Sequence, residues 1–374
     1  MTLEQRARVP FFDDFAVQAQ IRIQPAGKEY VAYIQTRGTW HRVRLGLQAH
    51  DAEKLRTELQ QAVAGVSACF DDATGATDRA ACARALSHLA HKGHAVLQGL
   101  SGEGVFREVI GALPPEAVVQ ATSEEFFMPW DLLYDGPLGD QADISGFWGM
   151  RYIISRALVQ PQRPGDLLSP LISSTRPRLG LVASDRLPQV VTREIPALNR
   201  LRRQKRIFLS SLEPLAGERR EQGLDQLARL WSRNLQIVHL ACEVSECGPS
   251  GPSLCVAEDL ALSAEDFRAG GFDLKHHPFV VLNVRLGGAA NPQWAFHWAA
   301  AFWERGARGV LTPEFPMPDG FAAAFAETFY GHLLSGEPVG KALLASRHEL
   351  WAEQGNPLAL GYALYSSPSI RITQ

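Results

Sequence analysis

The stretch Phe279–Gly288, FVVLNVRLGG, decides the reading of this 374-residue chain. Phe279, Val280, Val281 and Leu282 are apolar in sequence, as in a strand covered on both faces. Asn283, Arg285 and the pair Gly287–Gly288 then break the run. In open α/β sheets the functional side chains gather just beyond the carboxyl ends of the strands. The strand is therefore built to present a reactive group, yet the residue at its tip is an arginine, which is not a nucleophile.

Outward from this stretch, short apolar runs alternate with helical patterns. RLGLVAS (178–184), LQIVHLA (235–241), PFVVLN (278–283) and RGVLTP (308–313) read as buried strands. Between and after them lie TREIPALNRLRRQK (192–205), QGLDQLARLWSRN (222–234), PQWAFHWAAAFWERGA (292–307), DGFAAAFAETFYGHLLSG (319–336) and VGKALLASRHELWAEQ (339–354), all with helical spacing. Ser263, with Asp266 three positions on, marks a capping box at the head of SAEDFRAG. Such alternation predicts an α/β fold with a mainly parallel sheet flanked by helices. Three strand tips are then the places to look for chemistry: Ser184–Asp185, His239–Val244 and Asn283–Gly288.

The beginning of the chain has a different texture. Val17, Ala19, Ile21 and Ile23 alternate with polar residues, PAGKE supplies a turn, and YVAYIQT and WHRVRLGL follow. This predicts a small antiparallel meander, followed by a helix headed by Asp51 with Leu55, Leu59 and Val63 on one face. The expected organisation is an N-terminal module over 1–75, a second region over 76–160, a proline- and serine-rich connector over 161–178, and the α/β subdomain over 179–374.

Composition narrows the function. The net charge is −3, and the arginines are dispersed apart from RLRRQKR at 200–206, which reads as a solvated helix face; direct nucleic-acid contact is not expected. The five cysteines, Cys69, Cys82, Cys242, Cys247 and Cys255, are irregularly spaced and include no C-x-x-C pair, so neither disulfides nor a zinc site is expected. His88, His91 and His94 spread around a helix that Gly93 is expected to end, so they do not face one metal. No phosphate-binding glycine loop is present, and no cofactor is expected. Without an apolar signal core or a run of membrane length, a cytoplasmic setting is expected.

Several ordered motifs then agree with one family. IVHLACEV (237–244), FVVLNVRLGG, MPWDLLYD (128–135), LALSAEDF (260–267), AFWERGARGVLTPEFPMPD (301–319) and LGYALYSSP (360–368) together resemble the CHAT family, caspase-like proteases related to separase. The resemblance covers roughly residues 85–372. It implies a caspase-like sandwich preceded by the β-rich module. In that family the second strand ends in a pattern like H-F-A-G-H-G, whose second histidine is the general base. The third ends in L-N-A-C-x-S-G, whose cysteine is the nucleophile.

Laid on these patterns, His239 matches the first, structural histidine, Glu243 falls on the catalytic histidine, and Arg285 on the nucleophile. A cysteine protease needs a thiolate and a histidine to help form it, and neither residue type stands at its place. The expectation is a pseudoprotease, not an enzyme, with His239, Glu243, Asn283, Arg285 and Asp185 as a structural or partner site. Glu243 and Arg285 are expected to pair across the old cleft, because a guanidinium meets a carboxylate in a two-pronged geometry. The resemblance further implies a protein partner: a protease, its substrate, or a subunit of a bacterial defence or programmed-death complex. Two alternatives stay open. One is an active peptidase using a displaced thiol, Cys242, Cys247 or Cys255, with His239 as base. The other is a ligand sensor with Arg285 as an anion contact.

Overall fold

A computed structural model describes residues 17–100, 104–123, 128–158, 171–173, 176–184, 186–211, 220–248, 251–257, 260–286 and 291–373. Asp185, Gly287, Gly288 and most of the 161–178 connector lie outside the described residues, as does the side chain of Cys247.

The alternating start of the chain forms three antiparallel strands, β1 (Val17–Ala26), β2 (Glu29–Thr36) and β3 (Thr39–Gln48). Their inward residues Ile21, Ile23, Ile34, Val43 and Leu45 are buried against helices α1 (Ala49–Ser67) and α2 (Arg79–Leu100). The meander continues into a five-stranded sheet: β1 pairs in parallel with β4 (Val118–Thr122), which pairs in parallel with β5 (Ile153–Ala157). Gly93 does not end α2, which runs on to Leu100. Instead, the helix packs so closely on the turn Trp130–Leu132 that a Cβ at Gly93 would lie 2.2 Å from the Leu132 carbonyl oxygen. The glycine is there for close approach, not for termination.

The second half builds the parallel sheet. Its elements are β6 (Arg178–Ala183), α3 (Ile195–Arg203), β7 (Phe208–Ser211), α4 (Arg220–Trp231), β8 (Ile237–Ala241), β9 (Glu243–Gly248), β10 (Gly251–Ala257), β11 (Leu260–Leu262) and α5 (Ala264–Ala269). They are followed by β12 (Phe279–Leu282), β13 (Arg285–Leu286), α6 (Pro292–Glu304), β14 (Gly309–Pro313), α7 (Asp319–Leu333), α8 (Val339–Gln354) and β15 (Tyr362–Tyr365). The six-stranded sheet has the order β7-β6-β8-β12-β14-β15, with only β15 antiparallel to its neighbour. Phe279 and Val281 face the core that holds Phe321, Phe325 and Phe329 of α7. Val280 and Leu282 face the core of Trp231, Phe267, Trp298 and Phe302. Both faces of β12 are therefore dry, as its unbroken apolar run requires. The capping box at Ser263 and Asp266 is formed.

Beyond the tips, two strands pair again. β9 runs beside β13 in a four-stranded sheet of order β11-β10-β9-β13. The break between the two sheets falls at Cys242 and at Asn283–Val284.

Candidate functional site

The tips of β8 and β12 meet a polar cluster assembled from four parts of the chain. His239 is on β8, Asn283 and Arg285 follow β12, Glu194 ends a π-helical turn (Val190–Glu194) leading into α3, and Asp319 is the first residue of α7. His239, Asn283 and Glu194 are completely or almost completely buried, and Arg285 is 7% exposed.

Glu194 is the centre. Its Oε1 accepts from His239 Nε2 at 2.8 Å and from Asn283 Nδ2, and its Oε2 accepts from Arg285 Nη2 at 2.8 Å. Burial alone would push this carboxyl up, but the Arg285 guanidinium and the His239 and Asn283 donors hold it below the usual glutamate range. The carboxylate can only accept, so Nε2 of His239 donates. Its Nδ1 is hydrogen-bonded to the Tyr330 hydroxyl, 2.8 Å away. Asn283 spends its second amide hydrogen on the Ala322 carbonyl at 2.9 Å and accepts from the Tyr362 hydroxyl at 2.6 Å.

Arg285 is tied down on every side. Nε donates to Asp319 Oδ1 at 2.7 Å, Nη1 to the Asn283 carbonyl at 2.6 Å, and Nη2 to Glu194 and to the Asp319 carbonyl. Burial works against its charge, but Glu194 and Asp319 more than offset it and hold the guanidinium more firmly protonated than usual. Asp319 also accepts at Oδ2 from the Gln189 backbone at 2.7 Å. From the N-terminal half, Asp72 accepts from the backbone N–H groups of Asp319 and Gly320, so its carboxylate caps the head of α7.

The expected Glu243–Arg285 ion pair is not formed. The two residues are register neighbours in β9 and β13, yet among the described residues no ion pair includes Glu243, which is half-buried. Two better-placed carboxylates win the guanidinium: one is presented by the π-helical turn, the other by a helix N-terminus, and the first is fully desolvated. The sequence reading missed Glu194, Asp319, Tyr330 and Tyr362. The only local signals were an acid ahead of Pro196 and another at the head of α7; both read as ordinary helix starts.

The thiols sit outside this cluster. Cys242 is fully buried, and burial pushes its thiol far above the usual cysteine range. Cys255 is half-buried and is also pushed up by burial. His91 and His94 are engaged by the Ser87 carbonyl and by Gln98 within α2, and no group of three metal-binding side chains occurs among the described residues.

A second charged cluster joins the two halves. Asp131, in the MPWDLLYD turn, accepts from Arg156 of β5 at 2.8 Å; Arg156 also reaches Glu314, after β14, at 2.7 Å. Burial raises the Glu314 carboxyl to about 7 even with Arg156 against it, and its other oxygen accepts from Tyr365. Arg347 of α8 pairs with Asp131 and donates to the Tyr362 carbonyl. Tyr362 therefore links the clusters: its hydroxyl holds Asn283 and its carbonyl holds Arg347. No helix among the described residues is long and apolar enough to cross a membrane.

Comparison with known proteins places this architecture. Two crystal structures of the Saccharomyces cerevisiae separase-securin complex superpose on 93% of the chain, with TM-scores of 0.50 and 0.49 at 9% and 10% identity. The chain spans 30% of the separase chain, so the likeness is one of fold. No curated protein matches the sequence. Residues 112–369, from the end of the second helical region through β15, match the CHAT domain. With the strand tips, the helix order and the closing LGYALYSSP all inside that match, the chain belongs to the CHAT domain family.

Proposed function

We propose that the chain is a non-catalytic CHAT protein that acts by binding a protein partner. One observation carries this reading. At the position that the family resemblance gives to the nucleophile stands Arg285, a buried, non-nucleophilic guanidinium bonded to Glu194, Asp319 and the Asn283 carbonyl. His239 has both ring nitrogens committed, one to Glu194 and one to Tyr330, so neither faces a thiol. A displaced nucleophile is disfavoured by the burial of Cys242 and by the raised thiols of Cys242 and Cys255. An anion at Arg285 would have to displace Glu194 or Asp319.

The partner in this reading is a protease, a protease substrate or a subunit of a bacterial defence complex, and the setting is cytoplasmic. Support here is by family analogy and by the separase structures, which were solved as complexes with securin. The test is hydrolysis of a broad, proteome-derived peptide mixture by the purified chain. No cleavage above a blank, unchanged in a Cys242→Ser, Cys247→Ser, Cys255→Ser variant, is expected. Cleavage that this variant abolishes would overturn the reading.

A further inference from the structure

The whole-chain charge hides a local asymmetry. Residues 17–48, the three-stranded meander, hold five cations (Arg22, Lys28, Arg37, Arg42, Arg44) and one acid (Glu29), a local net of +4 in a chain of net −3. The register shows where three of them lie. Arg22, Tyr33 and Arg42 stand side by side across β1, β2 and β3, with Tyr33 between the two arginines. In the next row Gln20, Gln35 and Trp40 are aligned in the same way, and on the other side Gln24, Val31 and Arg44. Because side chains alternate along a strand, these rows share the face opposite the buried Ile21, Ile34 and Val43.

This face is open to solvent along β3, where Trp40, Arg42 and Arg44 are exposed, while Val31 on β2 is buried. Trp40 is 50% exposed, the largest exposure among the described large hydrophobic residues, and the Arg44 side chain is 71% exposed. Arg42 is exposed, and Arg22 and Tyr33 are half-buried. The one acid, Glu29, sits at the far end beside Arg44, 3.4 Å away. A tryptophan left half in water on a sheet surface contributes little to the core.

We propose that this outer face of the meander binds single-stranded nucleic acid. Trp40 and Tyr33 lie in adjacent rows, about 7 Å apart along the strands, and offer flat rings on which successive bases stack. Arg22, Arg42 and Arg44 surround those rings and meet the phosphates. Stacking platforms flanked by cations are sequence-tolerant and suit unpaired strands, whose bases are free to splay out. A duplex would hide its bases from a flat sheet. An acidic protein segment would use the arginines but leave the exposed ring of Trp40 without a role. The inference is independent of whether the strand-tip site hydrolyses peptides.

The test uses the full chain and fluorescein-labelled oligouridylate and oligothymidylate of about twelve nucleotides, within the usual site size for such surfaces, read by fluorescence anisotropy. Saturable binding at low salt is expected, with log Kd against log salt changing by about two for three phosphate contacts. Trp40→Ala should weaken binding roughly tenfold or more. Arg42→Glu with Arg44→Glu should weaken it further and flatten the salt dependence. All these side chains reach solvent, so an unchanged circular dichroism spectrum and melting temperature verify the fold of each variant. RNA binding without DNA binding would identify the 2′-hydroxyl as part of the recognition and support the proposal. No binding of either strand, or binding that Trp40→Ala leaves untouched, would overturn it. So would displacement by polyglutamate with no sensitivity to Trp40, which would point to an acidic protein instead.

Discussion

Arg285 Nη2 donates to Glu194 Oε2 at 2.8 Å, across a sequence separation of 91 positions and with both side chains buried. The bond joins the tip of β12 to the π-helical turn ahead of α3, and it holds in place the residue that the family resemblance aligns with the nucleophile. Asp319 closes the other side of the guanidinium at 2.7 Å. Arg285 thus sits between two carboxylates, one of them at the positive end of the α7 dipole.

Arg285→Met should be costly. It keeps the bulk of the side chain but leaves Glu194 and Asp319 facing each other without their cation. Breaking a buried pair from one side costs about 3–5 kcal/mol. Glu243→Gln removes a half-buried charge with no ion-pair partner among the described residues and should stay within about 0.5 kcal/mol of the parent. Urea denaturation of the two variants distinguishes this arrangement from an Arg285–Glu243 pair, for which both changes would be similarly damaging.

Glu194 gives the fold an acid-sensitive contribution. Its carboxyl is held below the ordinary value in the folded chain, so the unfolded chain binds more protons in the acid range. The resulting stability is present above the unfolded value of about 4.3 and is lost as pH falls through the folded pKa. The difference in unfolding free energy between the parent and Glu194→Gln should therefore shrink on acidification below about pH 4. A difference that grew on acidification would place the shift in the opposite direction.

Glu314 acts with the opposite sign. Burial raises it to about 7, so the folded chain binds the extra proton between the unfolded value of about 4.3 and that point. Its contribution to stability is greatest below the unfolded pKa and declines as pH rises towards 7. Glu314→Gln should flatten this decline, which is measured by denaturant titrations at several pH values across that window.

Asp72 ties the N-terminal half to the cluster through the head of α7. Asp72→Ala removes the acceptor for the Asp319 and Gly320 N–H groups and should cost about 1 kcal/mol, as lost helix caps do. Hydrogen exchange should quicken at the first turn of α7 while β8 and β12 stay protected. Equal loosening throughout would mean that the loop at Asp72 supports the whole fold and not this helix end.

Much of the fold was legible because its signals are local. The run Phe279–Leu282 carries no polar residue that a solvated face would need, and the alternation from Val17 to Ile23 fits a half-covered sheet. The parallel pairing of β1 with β4 was not legible, since no local feature of Val17–Ala26 indicates a partner near residue 118. Gly93 was misread because a glycine demanded by the Leu132 carbonyl looks the same in sequence as one that ends a helix. At the site, His239, Asn283 and Arg285 were legible as strand-tip residues. Glu194 and Asp319 were not, because an acid at a helix start is ordinarily solvated, and only the tertiary fold brings these two to Arg285.

The most direct test of the non-catalytic reading is the reactivity of each thiol in the native chain towards a broad electrophilic cysteine-protease probe, mapped by peptide mass spectrometry. Slow labelling of Cys242, Cys247 and Cys255, accelerated by unfolding, is the expected result, because burial raises the thiols of Cys242 and Cys255 and no histidine in the cluster is free to activate one. Fast, selective labelling of one of them, abolished by unfolding, would reveal an assembled nucleophile and contradict the account.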